Sequence, residues 1–459
     1  MKHPFSLNLI AVTVGTLLLS GCGDAETNIV EKAPIETPQN DHNHDHHDHG
    51  DEGFTIESLG RLAVLSGESA ELSMVNLDNR AVIDSFSLMH ESNSLTASAD
   101  YRFAVLTSRS QDYVGFIDGG LWREDHVAHL HDYEQAPSMS PFELAGSQPT
   151  HVVKHEGQMA IFYDGDAESN TPASVQVITD TNIANEVSVL PSIMYSINMH
   201  GVAEPRGEYL LATLRRDDAE NTSVNKILPD QVGVFHQHNG EYELEHTLDV
   251  TCPNLHGAAQ NKTYVAFGCG DGVLIAHQHG NSFDAEKIAN IESLGDLRIG
   301  NLYGHEHSTS FFGIASAHGG SQSILLHVAP QTKSMTQLEW QPTSRVVSYG
   351  FSYDGKYFLV LESTGVLSML AAHQHDNEVH WEVERTLAVS EQDTSAMPEG
   401  MRFSMTVAQN GPYAYVADPI ANHVLEIHLD DLEVEGHIEL SFSPSALSWL
   451  GIAKPHQHD

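Results

Sequence analysis

An all-β chain is predicted by three observations. One apolar strand returns eight times, turns rich in Gly, Asn and Asp separate its copies, and no helical stretch of comparable strength interrupts them. Short strands recurring at a period of about fifty residues describe the blades of a β-propeller. The recurring strand reads LAVLS from Leu62, FAVLTS from Phe103, MAIFYD from Met159 and YLLATL from Tyr209. It continues as YVAFGC from Tyr264, FFGIAS from Phe311, YFLVLE from Tyr357 and YAYVAD from Tyr413. The spacing runs from 41 residues (62 to 103) to 56 (103 to 159). A further strand follows most copies, as VGFID from Val114, VQVIT from Val175, VGVFH from Val232, VLIAH from Val273, VLSML from Val366 and VLEIH from Val424. The first copy lacks a preceding strand, whereas the C-terminus has a spare one, SALSWLGIA from Ser445. That strand would complete the first blade and close the ring, removing the open edges a sheet must otherwise protect. Eight blades are predicted over residues 54–454; seven is the alternative if one copy is irregular.

The N-terminus precedes this domain in two parts. Lys2 and His3 lead into an apolar stretch from Leu7 to Leu19, followed by Leu19-Ser20-Gly21-Cys22. A basic start and an apolar core too short to span a bilayer describe a secretory signal over 1–21. Small residues before a cysteine resemble a bacterial lipobox, which makes Cys22 the expected lipidated N-terminus; ordinary cleavage to a soluble periplasmic chain is the alternative. The expected location is the periplasm, with a lipid as the sole membrane attachment. Residues 22–53 hold almost nothing apolar beyond Ile29, Val30 and Ile35, and are expected to form a disordered acidic tether. Within it His42, His44, His46, His47 and His49 alternate with aspartates, a composition suited to weak, multi-register metal binding. Residues 455–459 form a short His-containing tail.

Besides Cys22 the chain has Cys252 and Cys269. A hairpin turning at Asn261-Lys262 would set them nearly opposite each other in an oxidising compartment, so a disulfide is expected rather than two free thiols. The 21 Lys and Arg against 63 Asp and Glu give a formal net charge of −42. Phosphate backbones would be repelled, which excludes nucleic acid as a partner. The 31 histidines say more, because imidazole is the commonest zinc ligand.

The repeat gives some of those histidines a shared place. Counting eight residues back from the recurring strand lands on Leu95, His151, His256, Tyr303, Tyr349 and Met405, and, past a one-residue insertion at 204–207, on His200. This position is expected to begin the innermost strand of each blade, so that three consecutive blades aim His151, His200 and His256 into one channel mouth. Three neutral imidazoles would hold zinc and leave a fourth position open; separate polar residues lining a watery channel are the alternative. The glycines after His200 and His256 would admit close backbone approach. A second cluster, Asp125, His126, His129, His131 and Asp132, lies in GGLWREDHVAHLHDYEQ, read as a loop between the second and third blades that folds over the same mouth. His305 and His307 are candidates to complete either site. HQH recurs at 236–238, 277–279, 373–375 and 456–458; the first three are expected as rim turns, with an auxiliary metal role as the alternative.

The EDH…H.HDY run at 124–133, HGVAE at 200–204 and CPNLHG…AFGCGDGVL at 252–274 resemble the periplasmic zinc metallochaperones of the AztD type, which are β-propellers. The resemblance covers the chain after the tether, and the family's His-rich N-terminal segment is matched by 41–49. It implies zinc as the bound metal and delivery to the zinc-binding solute-binding protein of an ABC transporter. A monomer is expected. The lipobox and the DHVAHLH form of the loop depart from the family pattern. Two other classes stay open: a lipid-anchored zinc buffer without a dedicated recipient, and a metal-dependent propeller hydrolase of the lactonase kind, with Asp125 or Asp132 as its base. An enzyme is not expected, since no nucleophile elbow is present and no carboxylate recurs in the channel register. Imidazole sites select poorly against copper or nickel by affinity alone.

Overall fold

The computed structural model describes residues 28–36 and 56–454, apart from 93, 127–128, 219–226, 318–322, 341, 343 and 376–377. The expected export signal, Cys22, His42, His44, His46, His47, His49 and the tail at 455–459 therefore lie outside the described residues. Among the described residues no helix is long and apolar enough to cross a membrane.

The strands assemble into a β-propeller of four-stranded antiparallel units, two of which join into one eight-stranded sheet where Ser192 pairs with Glu241. The recurring strand is the second of each unit. Phe103–Ser108 and Tyr357–Glu362 are buried at every position, because neighbouring units cover both faces of the sheet. That two-sided burial is why these strands read as continuous apolar runs rather than alternating ones. The outermost strand of the first unit, Ala81–Ser87, is almost wholly exposed.

Cores form between units rather than within them. Phe103, Val105 and Val114 pack with Met159, Ile161 and Tyr163 of the next unit, and Leu211 and Val234 pack with Val265, Phe267 and Leu274. Each such side chain contributes about 1.5–3 kcal/mol on burial. The ring closes where Pro444–Leu450 pairs with Arg61–Ser66 as the innermost strand of the first unit. Trp449, fully buried at the closure, donates its indole N–H to the Leu59 carbonyl at 2.9 Å.

Two sequence expectations are corrected. The tether at 22–53 is not wholly unstructured: Val30–Glu31 and Ile35–Glu36 add to the edge of His129–Glu134. Few apolar residues are needed for this, since main-chain hydrogen bonds to an open strand edge supply the attachment. The segment 119–135 is also not a loop between blades. It forms a hairpin, Leu121–Asp125 against His129–Glu134, inserted inside the second unit between its third strand Tyr113–Asp118 and its fourth, Ser138–Ala145. The Arg61 guanidinium holds its base by donating to the carbonyls of Gly119 and Gln135.

The innermost strands surround a channel of about 1270 Å³. One buried acid in its wall has a measurable consequence. Glu204 is fully buried; its Oε2 accepts from Gln260 Nε2 at 2.7 Å. Burial pushes its carboxyl up from 4.5 to about 8, against the opposing effects of Gln260 and Arg206. A carboxyl whose folded value lies above its unfolded one stabilises the fold below the unfolded value, and this is lost as pH rises towards the folded value. The loss is about 1.4 kcal/mol per pH unit between the two. Glu204→Gln, which mimics the protonated acid, should therefore gain stability over the parent from pH 5.5 to pH 8, read as the difference in denaturant midpoints. A difference that stays constant with pH would exclude a neutral Glu204.

Candidate metal centre

His151 is the third residue of Pro149–His155, the inner strand of the third unit, and pairs with Phe162 across a bulge. The corresponding ladder position holds Leu95, Tyr349 and Met405 in other units, each opposite the fourth residue of the recurring strand. In the sixth unit it holds Asn301; Tyr303 lies further along, opposite Phe312. His200 and His256 lie outside the paired residues of the ladder. They precede the inner strands Ala203–Arg206 and Ala258–Gln260, in the segments that lead into them. A constant sequence offset therefore does not reflect one ladder level, because lead-in segments and bulges differ between units.

The three imidazoles nevertheless converge. A ligand nitrogen from each of His151, His200 and His256 lies within 4.8 Å of the others. Ring centroids are separated by 4.9 Å for 151 and 200, 5.1 Å for 200 and 256, and 6.0 Å for 151 and 256. Close backbone approach makes this geometry feasible. A Cβ on Gly201 would lie 2.3 Å from Thr213 Oγ1 and 2.5 Å from Phe162 Cζ. Gly257 has φ +74°, and a Cβ there would meet the Gly300 carbonyl at 2.7 Å. Neither position accepts a side chain unless these neighbours shift.

Hydrogen bonds set which nitrogen each ring presents. His200 Nδ1 lies 3.0 Å from Asp164 Oδ2, and His256 Nδ1 lies 2.9 Å from the Gly300 carbonyl. Both acceptors require an Nδ1–H, which leaves Nε2 of each ring with a free lone pair. His200 Nε2 faces His151 Nε2 at 3.2 Å. An acceptor behind a ligating imidazole fixes its tautomer and raises its basicity. Arg109 donates to the same Asp164 oxygen at 2.7 Å. Burial alone would raise the Asp164 carboxyl, but His200 and then Arg109 hold it below its usual value, so it stays ionised. Burial, with the neighbouring imidazoles, pushes His151 down to about 3; burial also lowers His256. Both rings are thus neutral at physiological pH, the state a metal requires. His151 faces the central channel, while His200 lines a cavity of about 310 Å³ with Asp164, Asp166 and Glu168, an acidic approach that favours cations.

The other predicted residues lie elsewhere. The third strand of each unit runs parallel to the first, so the hairpin following Tyr113–Asp118 emerges where inner strands end. His151, by contrast, lies near a strand start, and His200 and His256 precede theirs. The hairpin therefore occupies the opposite mouth and does not fold over the three-histidine centre. His126, His129 and His131 do neighbour one another there, with centroids 4.6–5.5 Å apart. Glu31 of the docked N-terminal strand brings Oε1 to 2.9 Å from His131 Nδ1. Asp132 is engaged by Arg123, and Asp125 pairs with Leu130 and lines the channel. His305 and His307 follow the end of Arg298–Tyr303, at this far mouth, and do not extend the centre.

Two features escaped sequence reading. Asp164 directly ends the MAIFYD run, and only the fold places it behind His200. His155, Glu156 and Glu306 gather at the far end of the channel, but Arg206 Nη1 donates to His155 Nε2 at 3.1 Å and occupies a lone pair a metal would use. The expected Cys252–Cys269 disulfide is present, with Cα atoms 4.9 Å apart.

Fold and centre together define a ring-closed β-propeller with a convergent three-imidazole site. No family model matches the chain. It is 24% identical over 355 residues to the zinc chaperone AztD of Citrobacter koseri, covering 74% of this chain and 75% of that protein. The crystal structure of C. koseri AztD superposes with a TM-score of 0.70 at 20% identity, over 86% of this chain and 99% of that one. The resemblance to the AztD type is thus present in sequence and in fold. The dihydro-heme d1 dehydrogenase NirN shares the fold at a TM-score of 0.55 and 11% identity, over 86% of this chain and 76% of that one. The architecture alone does not select a chemistry.

Proposed function

We propose that the protein is a periplasmic, lipid-anchored zinc metallochaperone that captures zinc and passes it to the solute-binding protein of a zinc ABC transporter. One observation carries the reading: three converging imidazoles, two of them fixed as Nε2 donors, beside an acidic cavity. Three nitrogens hold zinc while a fourth position stays open, and through it an incoming ligand begins exchange. The similarity to a zinc chaperone supports the same assignment. The His-rich run at 42–49 acts as a weak collector held close to the propeller, raising the local metal concentration by tethering. Lipidation at Cys22 confines the protein to a membrane surface.

Transfer kinetics test this. Zinc should move from the full-length protein to an apo solute-binding protein faster than to a small chelator of matched affinity. Equal rates would mean release into solution followed by rebinding, which describes a buffer rather than a chaperone.

A further inference from the structure

HQH at 236–238 and 277–279 was expected to form rim turns, and the structure removes that explanation. These residues finish the third strands Gln231–His238 and Gly272–His279. The turn after the first is Asn239–Gly240, with φ of +52° and +89°. Consecutive left-handed residues of this type make a tight hairpin connection by themselves, so the histidines are not needed for it.

We propose that His236, His238 and Glu245 form a second, surface zinc site on the rim of the fourth unit. His236 and His238 are two apart on one strand and so share a face; their ring centroids are 4.4 Å apart. Glu245 comes from the adjoining strand Glu241–Thr247. The ladder slips there: Val234 pairs with His246 and Phe235 with Leu244, which leaves Glu245 as the extra residue of a β-bulge. Bulges re-aim side chains, and this one brings Glu245 Oε1 to 3.3 Å from His236 Nδ1. Ligand atoms of all three residues lie within 4.8 Å of one another. Ligands of one tetrahedral zinc stand about 3.3 Å apart, given bonds of about 2.0 Å, so small side-chain rotations close the set. Tyr209 stacks on His236 at 4.6 Å and 12°, which already limits that ring.

The seventh unit repeats the design. Its ladder slips between Met369 and Leu370, Glu384 is the extra residue, and Glu384 Oε1 lies 3.8 Å from His373 Nε2. In the fifth unit, where the ladder is regular, His277 and His279 have centroids 3.8 Å apart and Asp284 faces His279. The pairing of an HQH strand end with a carboxylate on the next strand thus recurs, and among the described residues of these strand ends the fourth unit alone brings three ligand atoms within 4.8 Å of one another. This end of the third strand faces the mouth opposite the three-histidine centre. Two imidazoles and one exposed carboxylate make a weaker, faster-exchanging site than the half-buried three-histidine centre. The proposal stands apart from the chaperone reading.

Residue-resolved histidine modification of the full-length chain tests it. Diethylpyrocarbonate labelling at His236 and His238, quantified by peptide mass spectrometry, should fall several-fold with micromolar zinc. In Glu245→Gln the protection at these two residues should shift to markedly higher zinc, while any protection of His151, His200 and His256 stays as in the parent. His238→Gln should likewise weaken protection of His236. Labelling unaffected by zinc, or protection that survives both substitutions unchanged, would overturn the site. Because the readout is specific to each histidine, failure here is distinguishable from failure at the three-histidine centre.

Discussion

Replacing His151, His200 and His256 together by alanine is expected to abolish tight zinc retention while weak binding through the tether persists. Equilibrium dialysis against a moderate chelator measures this directly: the parent should keep a tightly held zinc, and the triple variant should keep none. The loss should exceed that of any outer-sphere change, because all three nitrogen donors disappear. Asp164→Asn is the sharper probe. It preserves volume, yet its amide can turn an N–H towards His200 Nδ1, now 3.0 Å from a carboxylate oxygen. The ring then shifts its proton to Nε2 and ceases to be a donor there. Outer-sphere losses of this kind cost about 10–100-fold in affinity. Arg109 loses its ionised partner at the same time, so circular dichroism and the denaturant midpoint must accompany the zinc measurement. Unchanged retention in the triple variant would remove the assignment of this centre.

Converting Cys252 and Cys269 to serine is expected to produce a large stability loss, about 3 kcal/mol from the bridge. The bridge closes a loop of sequence separation 17, from which this chain-entropy figure follows. Both cysteines are fully buried, packed with Leu255, Val265 and Phe267 between two units. The effect should reach the metal centre as well. Cys252 lies in the segment that leads into His256, and His256 N–H donates to the Gly268 carbonyl, beside Cys269, at 2.9 Å. The bridge thus ties the lead-in to the strand that holds it. The double serine variant should unfold several degrees lower, seen by calorimetry, and bind zinc more weakly than the parent. Lower stability with unchanged zinc affinity would show that hydrogen bonds alone position His256.

Much of the fold was legible because two-sided burial leaves a plain mark. Strands such as FAVLTS and YFLVLE are apolar throughout, since neighbouring units cover both faces, and that pattern survives in the sequence as a repeat. The unpaired first copy and the spare SALSWLGIA run pointed to ring closure by simple counting. The docking of Val30–Glu31 and Ile35–Glu36 was not legible, because strand addition uses backbone groups that every residue carries. The place of the histidine-bearing hairpin is hidden for a related reason: an insertion between the third and fourth strands looks, along the chain, like a connection between blades.

What the sequence determined by itself is the propeller, its closure, the cysteine pairing and the identity of the three histidines that meet. Each rests on periodicity or on short-range spacing, which the order of residues encodes directly. The tertiary structure alone decided the rest. It placed Asp164 and the Gly300 carbonyl behind His200 and His256, which sets the donor nitrogens. It separated His126, His129 and His131 from the centre by the length of the channel. It re-aimed Glu245 towards His236 through a bulge. These are contacts between segments far apart in the chain or shifts of a single residue in register, and neither has a periodic signature to read.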